Sequence, residues 1–374
     1  MTALFSPKEL MGLAHAQAQE GMYRTSPNPR VGCVIADAAG RVLGLGSTQR
    51  AGEAHAEVMA MRDAKARGHS MQGAIAYVTL EPCSHQGRTG PCCDALVQAG
   101  IGKVVASLPD PNPLVSGRGF ARLRAAGVTV EVGPGADEAK ALNRGFFSRM
   151  VRGIPWVRLK VAASLDGITA LPNGRSQWIT SEEARKDVHA WRARACAILT
   201  GIGTVLADDP RLDVRGLDTP RQPWLAIVDS RLRTPPEAAL LRAQARQVVI
   251  YTAVRDEGRE AALVERGATV VCLPAEEGGR VHLGNMLQDL ARRGANELHV
   301  EAGAELNGAL VTAGAVDEFL VYLAPRLLGQ GRGMAHFGPL NALSEGPDLV
   351  WHSIGQVGAD VRMLAEVRGR AGFF

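Results

Sequence analysis

The stretch Ala76-Tyr77-Val78-Thr79-Leu80-Glu81-Pro82-Cys83-Ser84-His85-Gln86-Gly87-Arg88-Thr89-Gly90-Pro91-Cys92 decides the reading of the first half of this chain. Ala76–Leu80 is short, apolar and β-prone, so a buried strand is expected. Residues 91–99 read as a helix with Pro91 at its first position, where a missing N–H costs nothing. Cys83 therefore leaves a strand end. Cys92 sits near a helix N-terminus, where the dipole and free N–H groups stabilise a thiolate. Upstream, His55-Ala56-Glu57 opens another expected helix, 55–67. His and Cys are borderline-soft donors that suit Zn²⁺, and three protein ligands (His55, Cys83, Cys92) leave a fourth position for water. Zinc lowers the pKa of such a water from ~15.7 to ~7. Glu57, close by and not a ligand, is the candidate proton shuttle.

The H-x-E and P-C elements match the signature of zinc-dependent base deaminases, with one departure. The residue three after Cys83 is Gln86, and the second ligand comes only at Cys92. Cys93 competes for that role, but neighbouring residues on a helix point about 100° apart, so only one reaches the metal. Cys92 is favoured and His85 is a weaker candidate. A purely structural zinc would more often use four Cys/His ligands with C-x₂₋₄-C spacing.

At 374 residues the chain is long enough for two domains. Hydrophobic residues at 46% and charged residues at 21% exclude a disordered or fibrous protein. The net charge of +4 suits a phosphorylated small molecule and is too weak to argue for nucleic acid. No run of 18 apolar residues exists, so no membrane helix is expected. The N-terminus lacks a basic start followed by an apolar core, so it reads as an amphipathic helix over 7–21 rather than a signal peptide. Six cysteines, three of them between 83 and 93, favour a reducing cytoplasm and a local thiolate site over a disulfide framework.

Further strands are expected at Val31–Ala36 and Val104–Ser107. Strands alternating with helices imply parallel connections and a helix-covered sheet. The basic, Gly- and Pro-containing stretch 143–155 marks a boundary, giving domains 1–150 and 151–374. The second domain repeats the α/β alternation, with strands at Trp156–Val161, Ala197–Thr200, Leu225–Val228, Val248–Tyr251, Thr269–Cys272, Glu297–Glu301 and Glu318–Ala324. Gly201-Ile202-Gly203 follows one strand like half a dinucleotide fingerprint, but the third glycine position is Leu206. Glu301-Ala302-Gly303-Ala304-Glu305-Leu306-Asn307-Gly308-Ala309 closes a strand and opens a helix, whose free N–H groups favour a pyrophosphate.

Thr25-Ser26-Pro27-Asn28-Pro29, Ala51-Gly52 before His55-Ala56-Glu57-Val58, Thr79 to Cys92, and Asp110-Pro111-Asn112-Pro113 together resemble the deaminase half of the bifunctional riboflavin-biosynthesis deaminase/reductases. Lys160 to Gly167, Gly174 to Thr180, Gly201 to Pro210 and Glu301 to Ala309 resemble the reductase half. The long Cys-to-Cys loop is characteristic of that family. The resemblance implies a cytidine-deaminase-like three-layer α/β domain followed by a dihydrofolate-reductase-like α/β domain. It implies zinc-dependent deamination of a diaminopyrimidinone ribosylamino 5′-phosphate, then NADPH-dependent reduction of the ribosyl side chain to ribityl. Carried over by motif, Asn28 and Arg88 would contact the first substrate. Ala162, Trp178, Thr204, Asp208, Ser230, Gly303, Ala304, Glu305, Leu306, Asn307, Gly308 and Ala309 would line the cofactor. Ser176, Arg192, Leu212, Arg215 and Glu301 would face the second substrate, with Arg192 and Arg215 as phosphate clamps. A homo-oligomer is implied too. Where the family carries an aromatic-His pair, this chain has Ser47-Thr48. Two other readings stand beside this one. A nucleic-acid base deaminase would need a basic patch with stacking aromatics near His55, against an aromatic content of 5%. A zinc-stabilised binding protein would be indifferent to loss of Glu57.

Overall fold

The computed structural model describes residues 3–84, 90–113, 115–242, 246–276 and 278–373. The chain divides into two units, Met1–Arg152 and Gly153–Phe373. The first is built on five strands: β1 (Gly32–Ala36), β2 (Val42–Ser47), β3 (Ile75–Val78), β4 (Lys103–Ala106) and β5 (Thr129–Val132), in the order β2-β1-β3-β4-β5. β3, β4 and β5 run parallel, as expected for strands joined through helices. β1 is antiparallel to both β2 and β3, so the expectation of parallel connections throughout is corrected. The cause is β2, which forms a hairpin with β1 before the chain reaches its next helix. Its Gly44 and Gly46 weaken the strand signal. They are there for packing: a Cβ at Gly44 would lie 2.2 Å from the Ala60 carbonyl oxygen, and one at Gly46 would lie 2.3 Å from that of Ala56. The helix Ala56–Ala66 thus lies backbone-to-backbone on β2, which fixes where its first turn begins. On the other face, a Cβ at Gly32 would come within 1.9 Å of the Ala14 carbonyl oxygen, so helix Pro7–Glu20 packs equally close.

The second unit holds nine strands: β6 (Trp156–Ser164), β7 (Ala197–Gly201), β8 (Trp224–Val228), β9 (Val248–Thr252), β10 (Ala268–Cys272), β11 (Glu297–Val300), β12 (Glu318–Ala324), β13 (Leu349–Val357) and β14 (Asp360–Val367). Their order is β10-β9-β8-β7-β11-β6-β12-β14-β13. The seven strands from β10 to β12 are parallel and the final hairpin is antiparallel. The order reverses between β7, β11 and β6, and ligands settle at the carboxyl ends of strands at such a switch point.

A buried ionic group lies in the middle of this sheet. Arg158 on β6 is 1% exposed and donates to Glu297 on β11 (3.2 Å) and to Glu318 on β12, both equally buried. Its guanidinium lies 4.6 Å from the centre of the Trp191 ring. Removing one member of a buried ionic group strands the others in a low-dielectric interior. Arg158→Met is therefore expected to destabilise this unit by about 3–5 kcal/mol. Urea unfolding of the variant against the parent checks this, and a loss below about 1 kcal/mol would be too small for a buried group.

Candidate metal centre and cofactor cavity

In the first unit, three side chains from separate segments meet. The Nδ1 of His55 and the Sγ atoms of Cys83 and Cys92 all lie within 4.8 Å of one another. The nitrogen is 3.6 Å from Cys83 Sγ and 3.4 Å from Cys92 Sγ. Tetrahedral bonds of about 2.0 Å to nitrogen and 2.3 Å to sulfur put such neighbours roughly 3.5 Å apart, so the donor set fits zinc without rearrangement. His55 is the residue before the first turn of Ala56–Ala66, and Cys92 is the first residue of the helix Cys92–Gln98. The backbone N–H of Cys92 donates to Cys83 Sγ at 3.3 Å. Cys93 points elsewhere, with its thiol 3.8 Å from Asp94. His85, Arg88 and Thr89 lie outside the described residues.

The electrostatics suit this donor set. Hydrogen bonds from the Cys92 side chain and from His55 outweigh burial and lower the Cys83 thiol to about 4. Cys92 is correspondingly pushed up, because it lends its proton to Cys83. Glu57 is 3% exposed and its carboxyl is within hydrogen-bonding reach of the Cys92 thiol. Burial, with the nearby Cys83 charge, raises it to about 7, where a carboxyl both takes and gives protons near neutrality. Asn28 stands half-buried on the turn after Thr25, whose carbonyl accepts its N–H at 2.8 Å.

Glu81 was quoted in the sequence only as part of a motif, yet it organises this end of the sheet. Its carboxylate accepts the backbone N–H groups of Asp110 (3.1 Å), Gly117 (2.9 Å), Gly119 (2.8 Å) and Phe120 (3.2 Å). The Pro82-Cys83 turn is thereby tied to the segment 110–120. A glutamate directly before Pro-Cys is the only hint in the sequence.

In the second unit, a cavity of about 2290 Å³ opens at the carboxyl ends of the parallel strands. All the reductase-half residues singled out above line it except Gly308. Trp178 is 62% exposed, so it forms a wall of the cavity rather than core, and the Arg185 guanidinium stacks 4.5 Å from its ring centre. Gly308 serves packing instead: a Cβ there would sit 1.7 Å from the His336 carbonyl oxygen. His336 also donates its N–H to Ala304, and Asn307 holds the Met334 carbonyl at 2.9 Å. Gly308→Ala is expected to push segment 334–338 off the helix Ala304–Thr312 and raise KM for NADPH about tenfold or more, since a mispositioned binding element commonly costs that much. Steady-state kinetics on that variant checks it, and an unchanged KM would show the segment to be irrelevant.

Glu301 is the hub of the cavity floor. Arg192 grips it in a fork, Nε to Oε1 at 2.5 Å and Nη2 to Oε2 at 2.9 Å, and gives its remaining Nη1 to the Asp213 carbonyl at 3.0 Å. Burial pushes the Glu301 carboxyl up, but Arg192, His299 and Lys160 outweigh it and hold Glu301 well below the usual range. Arg192 lines the cavity while paired with Glu301, and Arg215 pairs with Asp213. Lys160, given no role in the sequence reading, lines the cavity 3.8 Å from Glu301. Burial lowers its pKa. A lysine inside the largely apolar strand Trp156–Ser164, which also carries Arg158, was the available signal.

Together these define a zinc-dependent base deaminase joined to a nicotinamide-dependent reductase. Residues 6–108 match the cytidine and deoxycytidylate deaminase zinc-binding region, and residues 155–362 match the RibD C-terminal domain. The chain is 45% identical to the riboflavin biosynthesis protein RibD of Escherichia coli (strain K12), over 94% of this chain and 96% of that one. It is 39% identical to RibD of Bacillus amyloliquefaciens, over 95% of each. Among solved structures, RibD of Acinetobacter baumannii has a TM-score of 0.88 at 40% identity, covering 96% of this chain and 98% of that one. A diaminohydroxyphosphoribosylaminopyrimidine deaminase/5-amino-6-(5-phosphoribosylamino)uracil reductase from Thermotoga maritima has a TM-score of 0.84 at 28% identity, with the same coverage. The chain belongs to the RibD family of riboflavin biosynthesis proteins. Its domains are of the cytidine-deaminase and RibD-reductase types, and its cofactors are zinc and NADPH.

Proposed function

We propose that residues 1–150 deaminate 2,5-diamino-6-(5-phosphoribosylamino)pyrimidin-4(3H)-one and that residues 151–374 reduce the ribosyl side chain of the product to give 5-amino-6-(5-phosphoribitylamino)uracil. The observation that carries this is the convergence of His55, Cys83 and Cys92 beside the buried Glu57. Zinc, when bound, makes water nucleophilic at neutral pH. His55, Cys83 and Cys92 hold it. Glu57 takes the proton that the attacking water gives up and delivers it to the ring nitrogen, then carries the remaining hydroxyl proton to the departing amine, so that water and substrate become carbonyl product and ammonia. Asn28 and Arg88 hold the ribose or base and the phosphate.

In the second unit, NADPH, when bound, would supply the hydride for the ring-opened C1′ carbon. Ala162, Trp178, Thr204, Asp208 and Ser230, with the segment 303–309, hold the cofactor. Ser176, Leu212, Arg215 and Glu301 face the substrate, and Arg192 keeps Glu301 ionised and oriented. Lys160 delivers the balancing proton to the heteroatom on the reduced carbon, and burial makes its ammonium the better acid. Six free thiols and a thiolate metal centre suit a reducing cytoplasm. The enzyme assembles as a homo-oligomer, which analytical ultracentrifugation of the whole chain tests.

Treating the protein with a chelator is expected to abolish ammonia release from the first substrate. Oxidation of NADPH with the deaminated substrate is expected to continue at its former rate. Both rates are read on one sample, and parallel loss of both would contradict the assignment of the two reactions to separate units.

A further inference from the structure

The segment 211–215 has no regular secondary structure, yet it brings Leu212 and Arg215 to the cavity of the second unit. Leu212 holds a left-handed φ of +48° and is 5% exposed. A branched side chain keeps such a backbone only where the surrounding structure over-determines it. Here the surroundings are side chains that bind the peptide groups of the segment one after another.

Arg246 donates Nη2 to the Arg211 carbonyl and Nη1 to the Leu212 carbonyl, both at 2.7 Å. Arg192 gives Nη1 to the Asp213 carbonyl at 3.0 Å. The Gln222 amide takes both sides of Val214, accepting its N–H at 2.8 Å and donating to its carbonyl at 3.1 Å. The last pin is His189, from the helix Glu182–Arg194, whose Nδ1 accepts the Arg215 N–H at 3.1 Å. A backbone N–H can only donate, so Nδ1 must be bare, and in the neutral ring the proton sits on Nε2.

Of these pins only His189 changes with pH. The arginines stay charged and the amide stays neutral on both sides of neutrality. A protonated imidazole carries N–H on both nitrogens and sets one of them against the Arg215 N–H, so that bond is lost. The ring lines the cavity, half-buried, and faces Arg192 from its own helix, Asp213 and Arg215 from the segment, and Glu301 just past β11. Burial, then Arg192 and Arg215, hold its pKa below the ordinary histidine value against the pull of Glu301 and Asp213. The pin is therefore intact at neutral pH and is released as pH falls through that lowered pKa.

We propose that His189 is a positioning residue for the reduction: it fixes the Arg215 end of the segment and so makes binding of the second substrate sensitive to acid. The proposal rests on the reading of this cavity as the reductase site. NADPH oxidation by the whole chain, with deaminated substrate varied from about pH 5 to about pH 8, tests it on the parent, H189A and H189N. H189A has no acceptor for the Arg215 N–H. It is expected to raise KM for that substrate about three- to tenfold near neutral pH, with kcat and the KM for NADPH close to the parent's. H189N sets an amide oxygen where Nδ1 stood and does not titrate, so it is expected to recover most of that loss. Toward acid pH the parent's KM should rise, and that of H189N should rise less, because only the substrate then titrates. A KM in H189A equal to the parent's, an H189N as impaired as H189A, or an acid-side rise in H189N as steep as the parent's overturns the proposal and leaves the reductase reading intact. A parent that oxidises no NADPH with deaminated substrate at any pH overturns the reductase reading itself.

Discussion

Glu57→Gln is expected to stop ammonia release while the protein keeps its zinc. The amide is isosteric with the carboxyl, so the buried position beside Cys92 stays filled and the ligand set of His55, Cys83 and Cys92 is untouched. What is lost is a group that takes a proton from water and hands it on. General acid–base catalysis of this kind contributes about 10²–10⁴-fold in rate. Here the same residue serves several proton transfers in turn, so the upper end is expected. The assay is ammonia release from the diaminopyrimidine substrate, with metal content and NADPH oxidation on deaminated substrate measured in parallel. The last two should match the parent. Ammonia release near the parent rate would show that Glu57 has no part in the chemistry, as a merely zinc-stabilised binding protein would require.

Lys160→Met is expected to lower the rate of NADPH oxidation by a comparable factor, about 10²–10⁴. Methionine keeps the unbranched stem and fills the cavity floor, so packing is preserved. The ammonium is lost from a position 3.8 Å from Glu301. Because the proposed role is proton delivery rather than holding the cofactor, the loss should fall on kcat, with NADPH still binding and deamination unchanged. Glu301 also loses one of the charges that hold it ionised, but Arg192 still grips it at both oxygens. A variant with normal kcat and a raised KM would place Lys160 in binding instead.

The metal centre was legible in the sequence because its chemistry restricts residue types. Only His, Cys and carboxylates ligate zinc well, and two Pro-Cys pairs bracketing a loop after a strand limit the choices. Helix geometry said that only one of Cys92 and Cys93 reaches the metal, and the favoured Cys92 at the helix start is the one that joins His55 and Cys83. The central strands of both units were readable as apolar runs. β2 was not, because its glycines serve the close approach of helix Ala56–Ala66, and close approach leaves no propensity signal. β13 was not, because it is exposed along nearly its whole length and so carries no in-out alternation. Pairing was the least visible layer. That Arg192 pairs with Glu301 depends on how the strands are arranged, and sequence spacing of 109 residues says nothing about that. The fingerprint-like Gly308 had the opposite fault: its motif was clear, but its purpose is to admit the His336 backbone.

X-ray absorption at the zinc edge, on the whole chain as purified, bears most directly on the first site. The expected spectrum has two sulfur scatterers at about 2.3 Å, one imidazole nitrogen at about 2.0 Å and one further light scatterer that substrate analogues perturb. Three or four sulfurs, a second imidazole, or a shell indifferent to substrate analogues would mean that the metal is closed off by protein and cannot do this chemistry.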